Sequence, residues 1–318
     1  MTQPYRGRFA PTPSGPLHFG SIIAAIASYC DARSNDGAWY VRIDDLDAPR
    51  ALAGAADDIL RTLDAFALHW DGKPVYQSDN QQAYHRSLHV LRTHRHVFPC
   101  ACSRKEIGEA GGRGPLGPIY PGTCRKGIAE GRRARSLRVR VDDLTTSMFN
   151  DELQGSIEQD LATEVGDFVV YRSDGMFSYH LACVVDDALL GISDVVRGAD
   201  LIDSTPRQIL LQRLLGLESP RYLHLPVAVN ADGEKLSKQT RAAPVDPARA
   251  PQIIYQALRF LGQDPPSELA RWNPHQALQW ASDHWLRQNL PAQREIESPA
   301  SLATNTSNQN EASCPTRP

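Results

Sequence analysis

Residues 8–21 read R-F-A-P-T-P-S-G-P-L-H-F-G-S and combine three structural signals in one short segment. A short apolar piece is followed by a turn rich in proline and glycine, and then by apolar residues three and four positions apart, which predict a helix. Such a helix start can bind phosphate, because its first N–H groups are free and attract anions. At the junction, His18 can donate a hydrogen bond to a developing negative charge, and Gly20 and Ser21 let a ligand approach the backbone. Taken alone, a histidine in this position is more often structural than catalytic.

The composition is that of a globular protein long enough for one large or two medium domains. The chain has 318 residues, of which 41% are hydrophobic and 22% are charged, and its net charge is -3. This near balance excludes a global field that attracts nucleic acid, so any RNA contact has to come from a local patch. No apolar run is long enough to span a membrane, and the N-terminus lacks the apolar core of a signal peptide. We therefore expect a cytoplasmic enzyme without a membrane partner.

The order of the predicted elements indicates an α/β fold with a doubly wound parallel sheet. Strands are predicted at 39–43, 167–171 and 192–197, helices at 51–68, 80–96 and 203–215, and a helix or strand at 178–187. Open α/β sheets bind their ligands at the carboxyl ends of strands, and the first of these strands ends at Asp44. Tyr179 and Arg197 also lie near predicted strand ends, and Arg197 offers a fork for a carboxylate. From the residues alone, both are more readily explained as structural.

The segment after residue 97 interrupts the α/β pattern and predicts an insertion. We expect five parts: a first catalytic half at 1–97, an inserted subdomain at 98–162, a second catalytic half at 163–240, a helical region at 241–297 and a disordered tail at 298–318. The basic run at 125–140 within the insertion could meet RNA phosphates or simply be solvated, and we weigh these alternatives equally.

Three cysteines in the insertion form a candidate metal site. Cys100, Cys102 and Cys124 would supply three thiolates, a soft ligand set that favours zinc. Tyr120 lies four residues before Cys124 and could reach the metal as a phenolate, although tyrosine is a rare ligand. The alternative is three reduced cysteines in a small core. The loop-rich setting favours a metal site, because a segment with so little packed core does not fold unaided.

A second motif, much later in the chain, supports a functional interpretation of residues 8–21. The string P-T-P-S-G-P-L-H-F-G-S resembles the "HIGH" signature of class I aminoacyl-tRNA synthetases, in the version used by the glutamyl and glutaminyl group. That resemblance implies a later lysine-rich "KMSKS" loop, and residues 235–239 read K-L-S-K-Q. The pair implies a Rossmann-type catalytic domain in which His18 serves the α-phosphate of ATP, while Lys235 and Lys238 serve the pyrophosphate side with Mg²⁺.

The whole pattern resembles the glutamyl-Q tRNA(Asp) synthetase family, shortened paralogues of glutamyl-tRNA synthetase. The resemblance implies activation of L-glutamate by ATP and its transfer to queuosine in the anticodon of tRNA(Asp), by a monomer with one structural zinc. It places the glutamate-binding residues at Arg8, Phe9, Ala10, Pro11, Thr12, Asp44, Tyr179 and Arg197, and the zinc ligands at Cys100, Cys102, Tyr120 and Cys124. Two positions depart from the family pattern: Asp44 replaces the usual Glu, and Gln239 ends the second motif in place of Ser.

Three other functions remain open at this point. A small glutamyl-tRNA synthetase would charge the 3′ end of tRNA, a nucleotidyltransferase would act on a small molecule, and a zinc-containing RNA-binding module would not be catalytic. The residues after the second motif form a few helices and are too few for a separate anticodon-binding domain, which favours modification of an anticodon base.

Overall fold

The structure is a computed structural model that describes residues 4–47, 50–141, 146–230, 232–233, 235 and 243–298. Its helices within these ranges are α1 (Phe19–Arg33), α2 (Ala55–Ala65), α3 (Gln81–Thr93), α4 (Arg104–Ala110), α5 (Leu161–Glu164), α6 (Tyr179–Leu189), α7 (Thr205–Leu215), α8 (Ala250–Phe260) and α9 (Pro274–Asp283). Its strands are β1 (Arg6–Phe9), β2 (Ala38–Ile43), β3 (Val75–Tyr76), β4 (Val97–Cys100), β5 (Arg113–Gly114), β6 (Gly117–Pro118), β7 (Ser136–Val139), β8 (Thr146–Asp151), β9 (Gly155–Asp160), β10 (Val169–Tyr171), β11 (Asp194–Gly198), β12 (Arg221–Leu225), β13 (Val227–Val229) and β14 (Glu295–Glu297).

The centre of the molecule is a set of parallel strands in two halves. In one half β1 pairs with β2 and β2 with β3, and in the other β11 pairs with β12 and β12 with β8, all in parallel. The halves meet where the start of β1 lies beside the start of β11, since the N–H of Ser193 donates to the carbonyl of Arg6 at 3.0 Å. The chain order reverses between β1 and β11, which is where open α/β sheets bind ligands. The predicted parallel α/β sheet is confirmed.

Helix α1 connects β1 to β2 and lies in the main hydrophobic core. Ile22, Ile26 and Cys30 are fully buried along one face, at the spacing that predicted this helix. Trp39 of β2 is also fully buried, and its indole N–H donates to Ser28 of α1 at 3.0 Å. Each large apolar side chain buried in this way contributes about 1.5–3 kcal/mol. The core therefore holds the turn before α1 between two parallel strands.

The inserted segment has its own small sheet. Strands β4 and β10 flank β7, and both pairings are antiparallel. The strand predicted at 167–171 is therefore present as β10, but it pairs with β7 instead of joining the parallel sheet. A hairpin of β8 and β9 extends the other edge, where β8 contacts β12. The sequence analysis did not predict this hairpin.

Several cations of the basic run at 125–140 form contacts inside the insertion. Arg125 forms two hydrogen bonds with Asp167, at 2.6 and 2.7 Å, and Arg132 pairs with Glu106 at 2.8 Å. The guanidinium of Arg138 lies over the ring of Tyr120, 4.2 Å from its centroid. These contacts favour a structural role for this part of the run over a role in RNA binding.

The C-terminal helices pack on the face of α1. The helical region expected at 241–297 contains α8, which follows Asp246-Pro247, and α9, which begins at Pro274, and both contact α1. The amide of the Asn273 side chain caps α9 by accepting from the N–H of Gln276 at 2.9 Å. The predicted disordered tail lies outside the described residues, apart from residue 298. No helix in the described ranges has the length and apolarity needed to cross a membrane.

Candidate active site

A cavity of about 750 Å³ opens at the carboxyl ends of β1 and β11. Most of the predicted site residues line it: Arg8, Phe9, Ala10, Pro11, Thr12, His18, Gly20, Ser21, Tyr179, Arg197 and Lys235. Residues 8–21 form one wall, because the turn after β1 leads directly into α1. Asp44 is not among the lining residues, and Lys238 and Gln239 lie outside the described ranges. The structure thus brings together side chains as far apart in the chain as Arg8 and Lys235, as is expected at the switch point of such a sheet.

His18 is the N-cap of α1, so its ring lies at the positive end of a 15-residue helix. Its Nδ1 accepts from the backbone N–H of Ser21 at 3.4 Å, and its Nε2 lies 3.2 Å from the hydroxyl of Ser21. Since Nδ1 accepts, the neutral ring carries its proton on Nε2. Gly20, in the first turn, adds no side chain at the cavity wall. The result is a set of hydrogen-bond donors suited to a phosphate.

Arg8 is held in place by a buried ionic network. Its Nε donates to Asp187 at 3.2 Å, and the same carboxylate oxygen accepts from Arg42 at 2.6 Å. Burial alone would raise the pKa of Asp187, but Arg8 and Arg42 together hold it below its usual value. Asp187 lies within α6, and the sequence analysis assigned it no function.

Asp44 belongs to this network instead of the cavity wall. Its carboxylate accepts from Arg42 at 2.6 and 3.3 Å, and only 7% of the residue is exposed. Burial raises the pKa of Asp44, with Arg42 opposing that shift. The shorter side chain at this position is thus engaged by an arginine two residues earlier on β2.

Arg197 is a buried cation whose hydrogen-bond partners are all neutral. Its Nε donates to His224 at 3.1 Å, and its Nη2 donates to Thr205 at 2.7 Å and Gln208 at 2.8 Å. Only 5% of the residue is exposed, and its Nη1 has no hydrogen-bond partner in the described part of the chain. No carboxylate in the described part of the chain lies within ion-pair distance of this guanidinium, so an anion in the cavity would stabilise it.

Two residues that sequence reasoning missed keep the guanidinium of Arg197 in place. His224 is fully buried, and its Nδ1 donates to Asp151 at 2.6 Å. Because Nδ1 carries the proton, Nε2 is free to accept from Arg197. Burial lowers the pKa of His224, with Asp151 opposing that shift, so the ring stays neutral. No local motif marks either residue, since they are 73 positions apart and meet only through the pairing of β8 with β12.

Lys235 enters the cavity from the segment that contains the second motif. Its ammonium pairs with Asp200 at 2.5 Å, and both residues line the cavity. The Oδ1 of Asp200 lies so close to Gly198 that a Cβ there would be 2.4 Å away. Glycine at the end of β11 therefore allows this carboxylate to fold over the backbone and hold the lysine.

The three cysteines of the insertion lie together, with their sulfur atoms within 4.8 Å of one another. Cys102 Sγ is 3.7 Å from Cys124 Sγ, and the phenolic oxygen of Tyr120 is 3.4 Å from Cys100 Sγ and 3.8 Å from Cys102 Sγ. A tetrahedral zinc with Zn–S bonds of about 2.3 Å spaces its sulfur ligands by about 3.8 Å. The separation of Cys102 and Cys124 matches this value, and the three thiols together could hold a metal ion.

Comparison with known proteins identifies the family. The family model described as "tRNA synthetases class I (E and Q), catalytic domain" matches residues 5–252. A curated protein of Dechloromonas aromatica named glutamyl-Q tRNA(Asp) synthetase is 54% identical over 302 residues, which cover 94% of this chain and 100% of that protein. The protein of the same name from Aromatoleum aromaticum is 52% identical over 300 residues, covering 94% of this chain and 95% of that one. The chain belongs to the glutamyl-Q tRNA(Asp) synthetase family.

Solved structures support the class I synthetase fold of this family. The crystal structure of glutamate-tRNA synthetase from Elizabethkingia anophelis superposes with a TM-score of 0.76 and 22% identity, covering 95% of this chain and 69% of that one. A glutamate tRNA ligase from Elizabethkingia meningosepticum, solved in complex with its amino acid, gives a TM-score of 0.76 and 21% identity, covering 95% of this chain and 68% of that one. The family predicted from the two signature motifs is confirmed, and the chain is a class I aminoacyl-tRNA synthetase-like ligase.

Proposed function

We propose that the protein activates L-glutamate with ATP and transfers the glutamyl group to queuosine in the anticodon of tRNA(Asp). The observation that carries this proposal is Arg197, a buried cation on the cavity wall with neutral partners and an unpartnered Nη1 in the described part of the chain. A guanidinium in this state recognises a carboxylate. The names of the relatives at 52% and 54% identity supply the nucleic acid.

The first chemical step needs positioned donors more than a base. The α-carboxylate of glutamate attacks the α-phosphorus of ATP, and pyrophosphate leaves as the glutamyl adenylate forms. Negative charge gathers on the phosphate oxygens, so we assign His18 and the N-terminus of α1 to the α-phosphate. Lys235 and Lys238 serve the leaving pyrophosphate. Mg²⁺, when bound with ATP, neutralises charge on the phosphates.

The glutamate would lie between β1 and β11. Arg8 and Arg197 approach the cavity from these two neighbouring strands, and Tyr179 lines it from the start of α6. Two cations suit a substrate with two carboxylates. The substrate ammonium needs a hydrogen-bond acceptor, and we assign Asp44 to this role. Since the carboxylate of Asp44 already accepts from Arg42, it would reach the ammonium through a bridging water. In the second step a nucleophile of the base attacks the glutamyl carbonyl and AMP leaves.

A transfer assay tests this function. Labelled glutamate and ATP are incubated with tRNA(Asp) that carries queuosine, and in parallel with tRNA(Asp) that carries guanine at that position. We expect label only in the first tRNA, and we expect it to survive periodate oxidation of the 3′ end before the reaction. Equal label in both samples, abolished by periodate, would contradict the proposal and indicate charging of the 3′ end.

We also propose that Cys100, Cys102, Cys124 and Tyr120 bind one structural zinc ion. The support is the spacing of the ligand atoms together with their setting, since these residues make up much of a small separate core. Zinc binding in such a segment contributes directly to its folding free energy.

Metal analysis checks this site. The purified protein should contain about one zinc per chain, and Cys102→Ser should lose most of it, because three ligands do not hold a structural zinc as tightly as four. Cys30→Ala removes a buried cysteine of the main core and serves as the matched control, which should keep its zinc. Equal zinc content in both variants, measured by inductively coupled plasma mass spectrometry, would rule out the cysteine site.

A further inference from the structure

The outer side of α3 carries an unusual concentration of basic side chains. The basic face of α3 comprises His85, Arg86, His89, Arg92 and, just after the helix, Arg95, all of which are exposed. The spacing of three and four residues places the helical members on one side, while Tyr84, Leu88 and Leu91 are buried on the other. Residues 80–105 contain no aspartate or glutamate, although the whole chain has a net charge of -3.

The arginines of this face form no ion pair that would hold the fold together in the described part of the chain. None of the three arginines forms an ion pair with a carboxylate in the described part of the chain, in contrast to Arg125 and Arg132 of the insertion. Surface arginines that stabilise a structure usually have an acidic neighbour on the same helix or an adjacent one. The basic face of α3 is therefore the local patch that a nearly neutral protein needs in order to bind RNA.

Arg95, the last member of the basic face, lies just after the end of α3 and has φ 57, in the left-handed region. Ala67 holds the same position after α2, with φ 58. Because glycine adopts this conformation without steric cost, a glycine at position 95 removes the cation and keeps the backbone turn.

The basic face of α3 lies between the start of α6, beside the cavity, and the inserted sheet. At its start, the His85 ring packs against Phe177 at 4.9 Å, two residues before Tyr179 of the cavity wall. Beyond its end, His94 stacks on His96 at 5.9 Å, and the carbonyl of His96 accepts from Arg140 of the insertion. The basic face therefore runs from the vicinity of the cavity to the inserted sheet.

We infer that the basic face of α3 binds the phosphate backbone of the RNA substrate and holds it against the cavity. This inference rests on the proposed function for the identity of the RNA, tRNA(Asp), but not for the binding itself. Guanidinium groups suit this role because they donate two parallel hydrogen bonds to a phosphate and stay charged at any physiological pH.

The test measures tRNA binding separately from chemistry. Fluorescently labelled tRNA(Asp) is titrated with the wild-type protein, the double variant Arg86→Gln/Arg92→Gln and the single variant Arg95→Gly. We expect the double variant to bind tRNA about tenfold more weakly at low salt. A plot of the logarithm of the association constant against the logarithm of the salt concentration should also become less steep, by about 0.7–0.9 for each phosphate that is no longer neutralised. Arg95→Gly should also weaken binding while its melting temperature stays the same or rises, because glycine relieves the left-handed strain.

Arg259→Gln is the matched control, since it removes one exposed cation from α8, where the guanidinium contacts only the hydroxyl of Tyr255 within the described residues. Glutamate-dependent exchange of pyrophosphate into ATP should be the same in all variants, because the cavity is untouched.

Wild-type affinity for tRNA in both α3 variants would overturn the inference and leave an acidic protein surface as the partner class. Failure of the wild type to catalyse exchange would instead contradict the proposed function and leave the binding result standing.

Discussion

Arg197→Lys should lower kcat/KM for glutamate by about 100- to 1,000-fold, which corresponds to about 3–4 kcal/mol of lost binding at 1.4 kcal/mol for each tenfold change. A lysine keeps the charge, so the effect comes from geometry alone. The guanidinium donates to His224 through Nε and to Thr205 and Gln208 through Nη2, and this leaves Nη1 for the substrate. An ammonium has three donors on one atom and cannot reproduce that fork.

Part of the loss comes from the partners left behind. The buried Nε2 of His224 accepts from Arg197 and lies 3.1 Å from the hydroxyl of Thr205, so the substitution disturbs a shared set of buried hydrogen bonds. Asp151 fixes the tautomer of His224, which prevents the ring from turning its proton toward the cavity. The neutral partners of Arg197 are therefore placed for a guanidinium. The ammonium of a lysine at this position cannot satisfy all of them.

Initial rates of glutamate-dependent pyrophosphate exchange, at varied glutamate and at varied ATP, measure this effect. The KM for ATP should stay within about twofold of wild type, because Arg197 belongs to the glutamate side of the cavity. Arg125→Lys is a suitable control, since Arg125 also forms paired hydrogen bonds to its partner, Asp167, but lies in the insertion. Unchanged glutamate dependence in Arg197→Lys would show that the carboxylate binds elsewhere.

The parts of the molecule that sequence predicted well are those with local signals. Residues 8–21 carry the strand, turn and helix start within one short segment, and the structure places nearly all the predicted site residues around them in one cavity. The cysteine spacing likewise brought three thiols together. These features depend on neighbours in the chain, so their chemistry is visible in the order of residues.

Features that depend on tertiary pairing were harder to predict. The contact between Asp151 and His224 spans 73 positions and requires β8 to lie beside β12, which no periodicity indicates. The basic run of the insertion looked suited to RNA, yet Arg125 and Arg132 pair with nearby carboxylates. Charge alone does not reveal which arginines already have a partner. The same reasoning makes the arginines of α3 informative, since none of them pairs with a carboxylate among the described residues.

Asp31→Asn should destabilise the protein by about 3–5 kcal/mol, the largest stability effect we expect from a single substitution outside the cavity. Asp31 lies on α1 and is fully buried. Its carboxylate accepts from the hydroxyl of Tyr5, from the indole of Trp285 at 3.0 Å and from Arg287 at two distances of 2.7 Å. Two of these partners come from the C-terminal region, so one buried carboxylate connects that region to the catalytic core.

An asparagine at this position keeps the shape but not the chemistry. Its amide nitrogen is a donor, so it would face another donor where the carboxylate now accepts, and Arg287 would lose the nearest of its three counterions and keep only Glu152 and Asp194, at 3.7 and 3.6 Å. Urea unfolding followed by near-ultraviolet circular dichroism reports on the packing of the five tryptophans, which include Trp285. Asp36→Asn, at an exposed position just after the same helix, should change the free energy of unfolding by less than about 0.5 kcal/mol. If both variants unfold at the wild-type midpoint, the C-terminal region is held by the apolar packing of α8 and α9 on α1 alone, and the buried carboxylate adds nothing to that attachment.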